Sequence, residues 1–158
     1  MSVNEGSRLE VVVLIGFQGA GKSTFRAQRF AETHVLVSKD LLRNNRRPER
    51  RQRRLIEDAL AAGRSVVVDN TNPSVEERAS IIEIARAAGA RVVGYFFTSA
   101  LEECAARNRA RPDETRVPDV GLYATASRFV RPSRQEGFDD LWAVRTLPEL
   151  CFEVGPLD

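Results

Sequence analysis

Cations other than arginine are scarce in this chain. Of 24 lysines and arginines only Lys22 and Lys39 are lysine, and His34 is the single histidine. Cys104 and Cys151 are the only cysteines; they have no paired spacing and no histidine cluster beside them, which argues against a disulfide framework and a zinc site. Both read as core or helix-face residues. No apolar run approaches the roughly 20 residues that a membrane helix needs, and the opening MSVNEGSRLE is polar and mixed in charge rather than basic then apolar. The expectation is a cytosolic chain without a leader or membrane contact. Its 158 residues suit one domain, 1–158. The arginine bias fits planar, bidentate phosphate contacts, although a GC-rich coding sequence produces the same bias.

Against these absences one stretch stands out, GFQGAGKST at 16–24, which follows the apolar run VVVLI and fits the spacing G-x-x-x-x-G-K-[ST]. The loop residues Gly16, Gln18, Gly19, Ala20 and Gly21 would turn backbone N–H groups onto a phosphate, and a helix starting at Lys22 would add its positive end. Lys22 would reach the β- and γ-phosphates of ATP, Ser23 would offer its hydroxyl to Mg²⁺, and Thr24 would bond the α-phosphate.

Further apolar runs at 35–37, 66–68 and 92–97 alternate with helical stretches, the pattern of a parallel sheet flanked by helices on both faces. The expected helices run from about Lys22 to Glu32, and from about Arg51 to Ala62 with Leu55, Ile56, Ala59 and Leu60 on one side. Another is capped by Asn72-Pro73 and turns Val75, Ala79, Ile82 and Ala85 inward, ending at Gly89. A fourth starts at Ala100, with Ser99 and Glu102 at capping-box spacing. Residues 112–118, PDETRVP, read as a mobile loop.

Ligands of open α/β sheets bind at the carboxyl ends of the strands, so the polar residues after each apolar run are the candidates. Asp69 closes VVVD and is placed to hold Mg²⁺ together with Ser23. Asp40 follows VLV at the rim of the neighbouring strand and suits a general base, with Arg43 three residues on to meet an anion of the acceptor. From 43 to 54, RNNRRPERRQRR holds seven arginines against one acid; it reads as a polyanion footprint or as a solvated helix face. Arg107, Arg109 and Arg111 read as a lid over about 105–118, or as cations favoured at a helix end. A lid arginine of this kind contributes about 10³ to 10⁵ in rate.

GFQGAGKST, VSKDLLRN, VVVDNTNPSVEERASIIEIARAAGARVVGYFF, ARNRAR, VPDVGLYATASRF and EGFDDLWAV together resemble the 5′-hydroxyl polynucleotide kinase domain of phage and animal end-healing enzymes. The likeness runs from about residue 9 to 154, and DNTNP with the downstream EGF is its most specific part. It implies an adenylate-kinase-like P-loop fold with an arginine-bearing lid, and Mg²⁺- and ATP-dependent phosphorylation of 5′-OH ends of DNA or RNA. By matching position it makes Lys22 and Ser23 the phosphate and metal residues, Asp40 the base, Arg43 an acceptor contact and one of Arg107 to Arg111 the lid residue. The 3′-phosphatase motif D-x-D-x-T of the larger family members is absent, so a kinase alone is expected. A P-loop kinase of a small alcohol, and a nucleotide-binding module without transfer, are the alternatives; the N-K-x-D guanine motif is absent too.

Overall fold

The computed structural model describes residues 8–157. Its centre is β1 (Glu10–Ile15), where Val11 to Ile15 are fully buried because the strand is covered on both faces. It pairs in parallel with β3 (Val66–Asp69) on one side and with β4 (Arg91–Phe97) on the other. β2 (Val35–Val37) lies outside β3, β5 (Asp140–Leu147) lies outside β4, and β6 (Cys151–Pro156) closes that edge antiparallel to β5. The order is β2-β3-β1-β4-β5-β6. A parallel sheet flanked by helices, the expected architecture, is therefore what forms.

The two-residue period of a strand divides the core. Val11, Val13, Ile15, Val66 and Val68 face one side, where α2 (Pro48–Ala61) and α3 (Val75–Ala87) pack through Ile56, Leu60, Ile81, Ile82 and Ala85. Val12, Leu14 and Val67 face the other, against Phe25 of α1 (Lys22–Arg29) and Phe97. Phe25 makes near-perpendicular ring contacts with Phe97 and Phe152, centroids 5.3 Å apart in both pairs. The last helices are α4 (Leu101–Arg109) and α5 (Asp119–Arg128).

Several local expectations need correction. Ser74, not Asn72, caps α3, in a reciprocal capping box with Glu77. Asn72 takes a left-handed φ of 46° and spends its side-chain amide on the Leu14 carbonyl, 2.7 Å away, so it ties β1 to the loop instead of starting the helix. The inward stripe of α3 is Arg78, Ile81, Ile82, Ile84 and Ala85; Val75 and Ala79 are exposed because the later start rotates the buried face. α1 stops at Arg29, short of Glu32. Ala100 caps α4 without a side-chain bond, so Ser99 and Glu102 form no capping box. Cys104 is buried on the core face of α4, whereas Cys151 is exposed on β6 and belongs to neither a core nor a helix face.

The segment 112–118 is bonded at both ends. The buried Asn108 accepts from the Val117 N–H at 3.0 Å and donates to its carbonyl at 2.6 Å, while Thr115 and Arg116 N–H groups both bond the Pro112 carbonyl.

Arg78 is fully buried and fully engaged. Its guanidinium meets both oxygens of Glu136 at 2.8 and 3.2 Å and also donates to the Asn72 carbonyl at 2.9 Å. Glu136 in turn accepts from the Ser133 N–H at 2.9 Å. This network joins DNTNP to EGF, the two stretches that carry the sequence resemblance. Removing one partner strands the other charge in the interior, so Arg78→Met is expected to cost about 3–5 kcal/mol in urea unfolding. Pairing it with Glu136→Gln should recover part of that loss; a single variant as stable as the parent would show that the pair is not a structural tie.

Candidate active site

β1 ends at Ile15 and the chain turns through Gly16 to Gly21 before α1 begins. Gly16 donates its N–H to the Thr71 carbonyl at 3.0 Å, and a Cβ there would stand 2.9 Å from Phe97 Cβ. Gly19 sits at φ 83° with its Cα against the Cys104 carbonyl of α4, so a side chain at that position would collide with backbone. Gly21, at φ 98°, is the N-cap of α1 and no side chain fills the cap, which leaves the first N–H groups of the helix open to an anion. Ala20 is buried and its carbonyl accepts from Thr146 Oγ1 of β5 at 2.8 Å. Gln18 reaches away from the loop to donate to Thr125 Oγ1 of α5 at 2.9 Å; its own buried Oε1 has no hydrogen-bond partner among the described residues. Thr24 lies on the wall of the cleft above the loop.

Lys22 is 7% exposed and donates to two carbonyls of its own loop, Gly16 at 2.9 Å and Phe17 at 2.7 Å. Burial pushes its pKa down to about 8; the carboxylates of Asp69 and Asp40 oppose that fall and the Arg111 cation adds to it.

The pleat of β3 decides what happens beside Lys22. Val67 and Asp69 point to the α1 face, and Asp69 Oδ2 accepts from Ser23 Oγ at 2.9 Å with Arg26 Nε 3.4 Å away. A hydroxyl and one carboxylate fit Mg²⁺, which keeps most of its shell for water and phosphate oxygens. Among the described residues no cluster of three His, Cys, Asp or Glu side chains offers a full protein cage.

Asn70, the next residue, points the other way. It accepts from the Lys39 N–H at 2.8 Å and donates to Gln52 Oε1 of α2 at 2.7 Å, so it locks the turn after β2 to both β3 and α2. That turn, Lys39–Leu42, is a short 3₁₀ helix capped by Ser38, whose hydroxyl accepts from the Asp40 N–H at 3.3 Å. Asp40 is exposed on it, and Arg43 follows, also exposed. The structure thus brings Asp40, Asp69, Ser23 and Lys22 to one end of the sheet, as expected from the ends of the strands.

The three arginines expected to form a lid separate. Arg107 donates to the Gly19 carbonyl at 3.1 Å, and Arg107 and Arg111 line a cleft of about 940 Å³ over the loop. Arg109 is 60% exposed and turns to Asp119, 3.8 Å away. Thr98, Ser99 and Leu147 line the other parts of the cleft; the buried Ser99 Oγ has no hydrogen-bond partner among the described residues. Sequence reasoning missed Gln52, although the stripe of Ile56 and Leu60 extended back by one turn reaches it. It also missed α5 as an element.

Residues 11–132 match the family described as an AAA domain. The chain belongs to this family. The resemblance to polynucleotide kinases holds in the comparisons too: the bifunctional polynucleotide phosphatase/kinase of Schizosaccharomyces pombe is 30% identical over 149 residues, covering 91% of this chain and 35% of that protein. The chain spans about a third of the length of the curated relatives it matches. Among solved structures, a fungal RNA kinase has TM-score 0.64 at 17% identity, covering 86% of this chain and 38% of that one. A gluconokinase from Sinorhizobium meliloti has TM-score 0.65 at 21% identity, covering 89% and 85%. The architecture is the P-loop kinase fold.

Because Lys22 loses its charge above about pH 8, phosphate binding there must bring a proton with it. ATP affinity is therefore expected to hold below pH 8 and to fall by up to about tenfold per pH unit above it. Titration calorimetry checks this, with Lys22→Met expected to bind weakly and without that slope; an equal slope in the variant would assign the proton elsewhere.

Proposed function

We propose that this chain transfers the γ-phosphoryl group of ATP to the 5′-hydroxyl end of a DNA or RNA strand. The observation that carries the reading is the place of Asp40: it is exposed on a turn pinned by Asn70 to the neighbouring strand, its carboxylate acts on Lys22, and the arginine-rich start of α2 adjoins it. The similarity to a polynucleotide phosphatase/kinase supports a nucleic-acid acceptor. The gluconokinase shares the fold at 21% identity, which carries no argument about a sugar acceptor.

The loop N–H groups and Lys22 hold the triphosphate, and the base and ribose occupy the cleft between α4 and the turn that follows β5. Ser23 and Asp69 would hold Mg²⁺, which would neutralise charge on the phosphate oxygens. Asp40 takes the proton of the 5′-hydroxyl as its oxygen attacks the γ-phosphorus, the bond to the β–γ bridging oxygen breaks, and ADP leaves. Arg43 meets the first phosphate of the acceptor. Arg107 and Arg111, rather than Arg109, stabilise the charge on the transferring group, since those two line the cleft.

The test is transfer of labelled γ-phosphate from ATP to a short 5′-OH oligonucleotide. Asp40→Asn is expected to lower kcat by about 10²- to 10⁴-fold while ATP affinity stays within about threefold. No label on DNA or RNA from the parent protein, with ATP bound, would overturn the reading in favour of a small alcohol acceptor.

A further inference from the structure

We propose that α2 is a phosphate track, which grips the acceptor strand over about three to four phosphates 3′ of the reacting end. This rests on the kinase reading above but reaches past its catalytic turn. Helical spacing sorts the arginines into two ridges. Within α2, Arg50 and Arg53 form one and Arg51 and Arg54 form the other, each pair three residues apart, while Arg46 and the N-cap Arg47 lie just before the first turn. The ridges flank the side of the helix opposite Gln52, Ile56 and Leu60, the side chains it buries. All six arginines are exposed, and an open groove of about 790 Å³ runs along them, lined entirely by residues of the 45–57 segment.

Most of the charge has no ion-pair partner, although Glu57 also lines the groove. Among the described residues only Arg54 of the six forms an ion pair, with Asp58 at 3.5 Å, and Glu49, the one acid within the stretch, is 3.7 Å from Lys39 instead. Like charges three and four residues apart destabilise a helix, so this arrangement costs the free protein something that a bound polyanion would return. The track also has a direction. It begins where Lys39 and Asn70 fix the start of α2 to the turn that carries Asp40, and it runs away from there. From its N-cap Arg47 to Arg54 the helix rises about 10 Å, with Arg46 just beyond that end, and a stacked strand carries a phosphate roughly every 3.4 Å. Three to four phosphates match that length, and arginine forks suit them. A free mononucleotide or a sugar would leave the track empty.

The experiment pairs transfer with binding. For transfer, 5′-OH acceptors from dinucleotide to decanucleotide are compared. Relative kcat/KM is expected to rise about tenfold or more up to the hexanucleotide and then level off, as sites added beyond the track contribute nothing. In the triple variant Arg50→Ala, Arg53→Ala, Arg54→Ala that rise should shrink to less than about threefold. For binding, a hexanucleotide that already carries a 5′-phosphate, and so accepts none, is followed by fluorescence anisotropy against salt. The expected slope of log K on log salt is about −2 to −3, shallower by about two in the alanine variant and retained when the same three positions are lysine. Length-independent transfer by the parent protein, an unchanged salt slope in the alanine variant, or competition by polyglutamate equal to that of the oligonucleotide would each overturn the track. Oligonucleotide binding with the expected slope but no transfer at any length would keep the track and overturn the kinase reading instead.

Discussion

The site depends on one strand end. β3 finishes with Asp69, Asn70 follows it directly, and the two side chains turn to opposite faces of the sheet. Asp69 takes the Ser23 hydroxyl on the α1 side, while Asn70 takes the Lys39 N–H and Gln52 on the α2 side. Two consecutive residues thereby locate the Ser23–Asp69 pair and the turn that carries Asp40 relative to each other. Shifting the register of β3 by one residue would exchange them and dismantle both.

Around that strand end, polar groups that would be costly to bury alone are satisfied by one another. Asn72 holds β1, and its carbonyl is held by Arg78, which is held by Glu136. The phosphate loop is braced from three sides, by Thr71, by Thr146 of β5 and by Arg107 of α4. Rigid bracing of this kind keeps donors aimed where charge gathers, which is how a phosphate site gains from low dielectric surroundings without reorganising. Lys22 is the exception: it folds back on Gly16 and Phe17, so nucleotide binding must exchange those two carbonyls for phosphate oxygens.

The sequence made the central strands legible because each is a short continuous apolar run bounded by polar residues, and strand ends led directly to Asp40 and Asp69. Helix ends were harder. Asn72 and Ser74 both favour caps, and only the tertiary bond from Asn72 to Leu14 decides between them. The partnership of Arg78 with Glu136 spans 58 residues and leaves no local pattern, although it joins DNTNP to EGF. Arg107, Arg109 and Arg111 are alike in sequence, and only the packing of α4 on Gly19 turns the first to the loop and the second to Asp119.

The most direct measurement is a crystal structure with Mg²⁺, an unreactive ATP analogue and a 5′-OH oligonucleotide. The account predicts the terminal 5′-oxygen within about 2.6–3.2 Å of the Asp40 carboxylate and in line with the γ-phosphate, with Lys22 released from its loop carbonyls. An acceptor hydroxyl held elsewhere, with Asp40 facing only solvent, would contradict it.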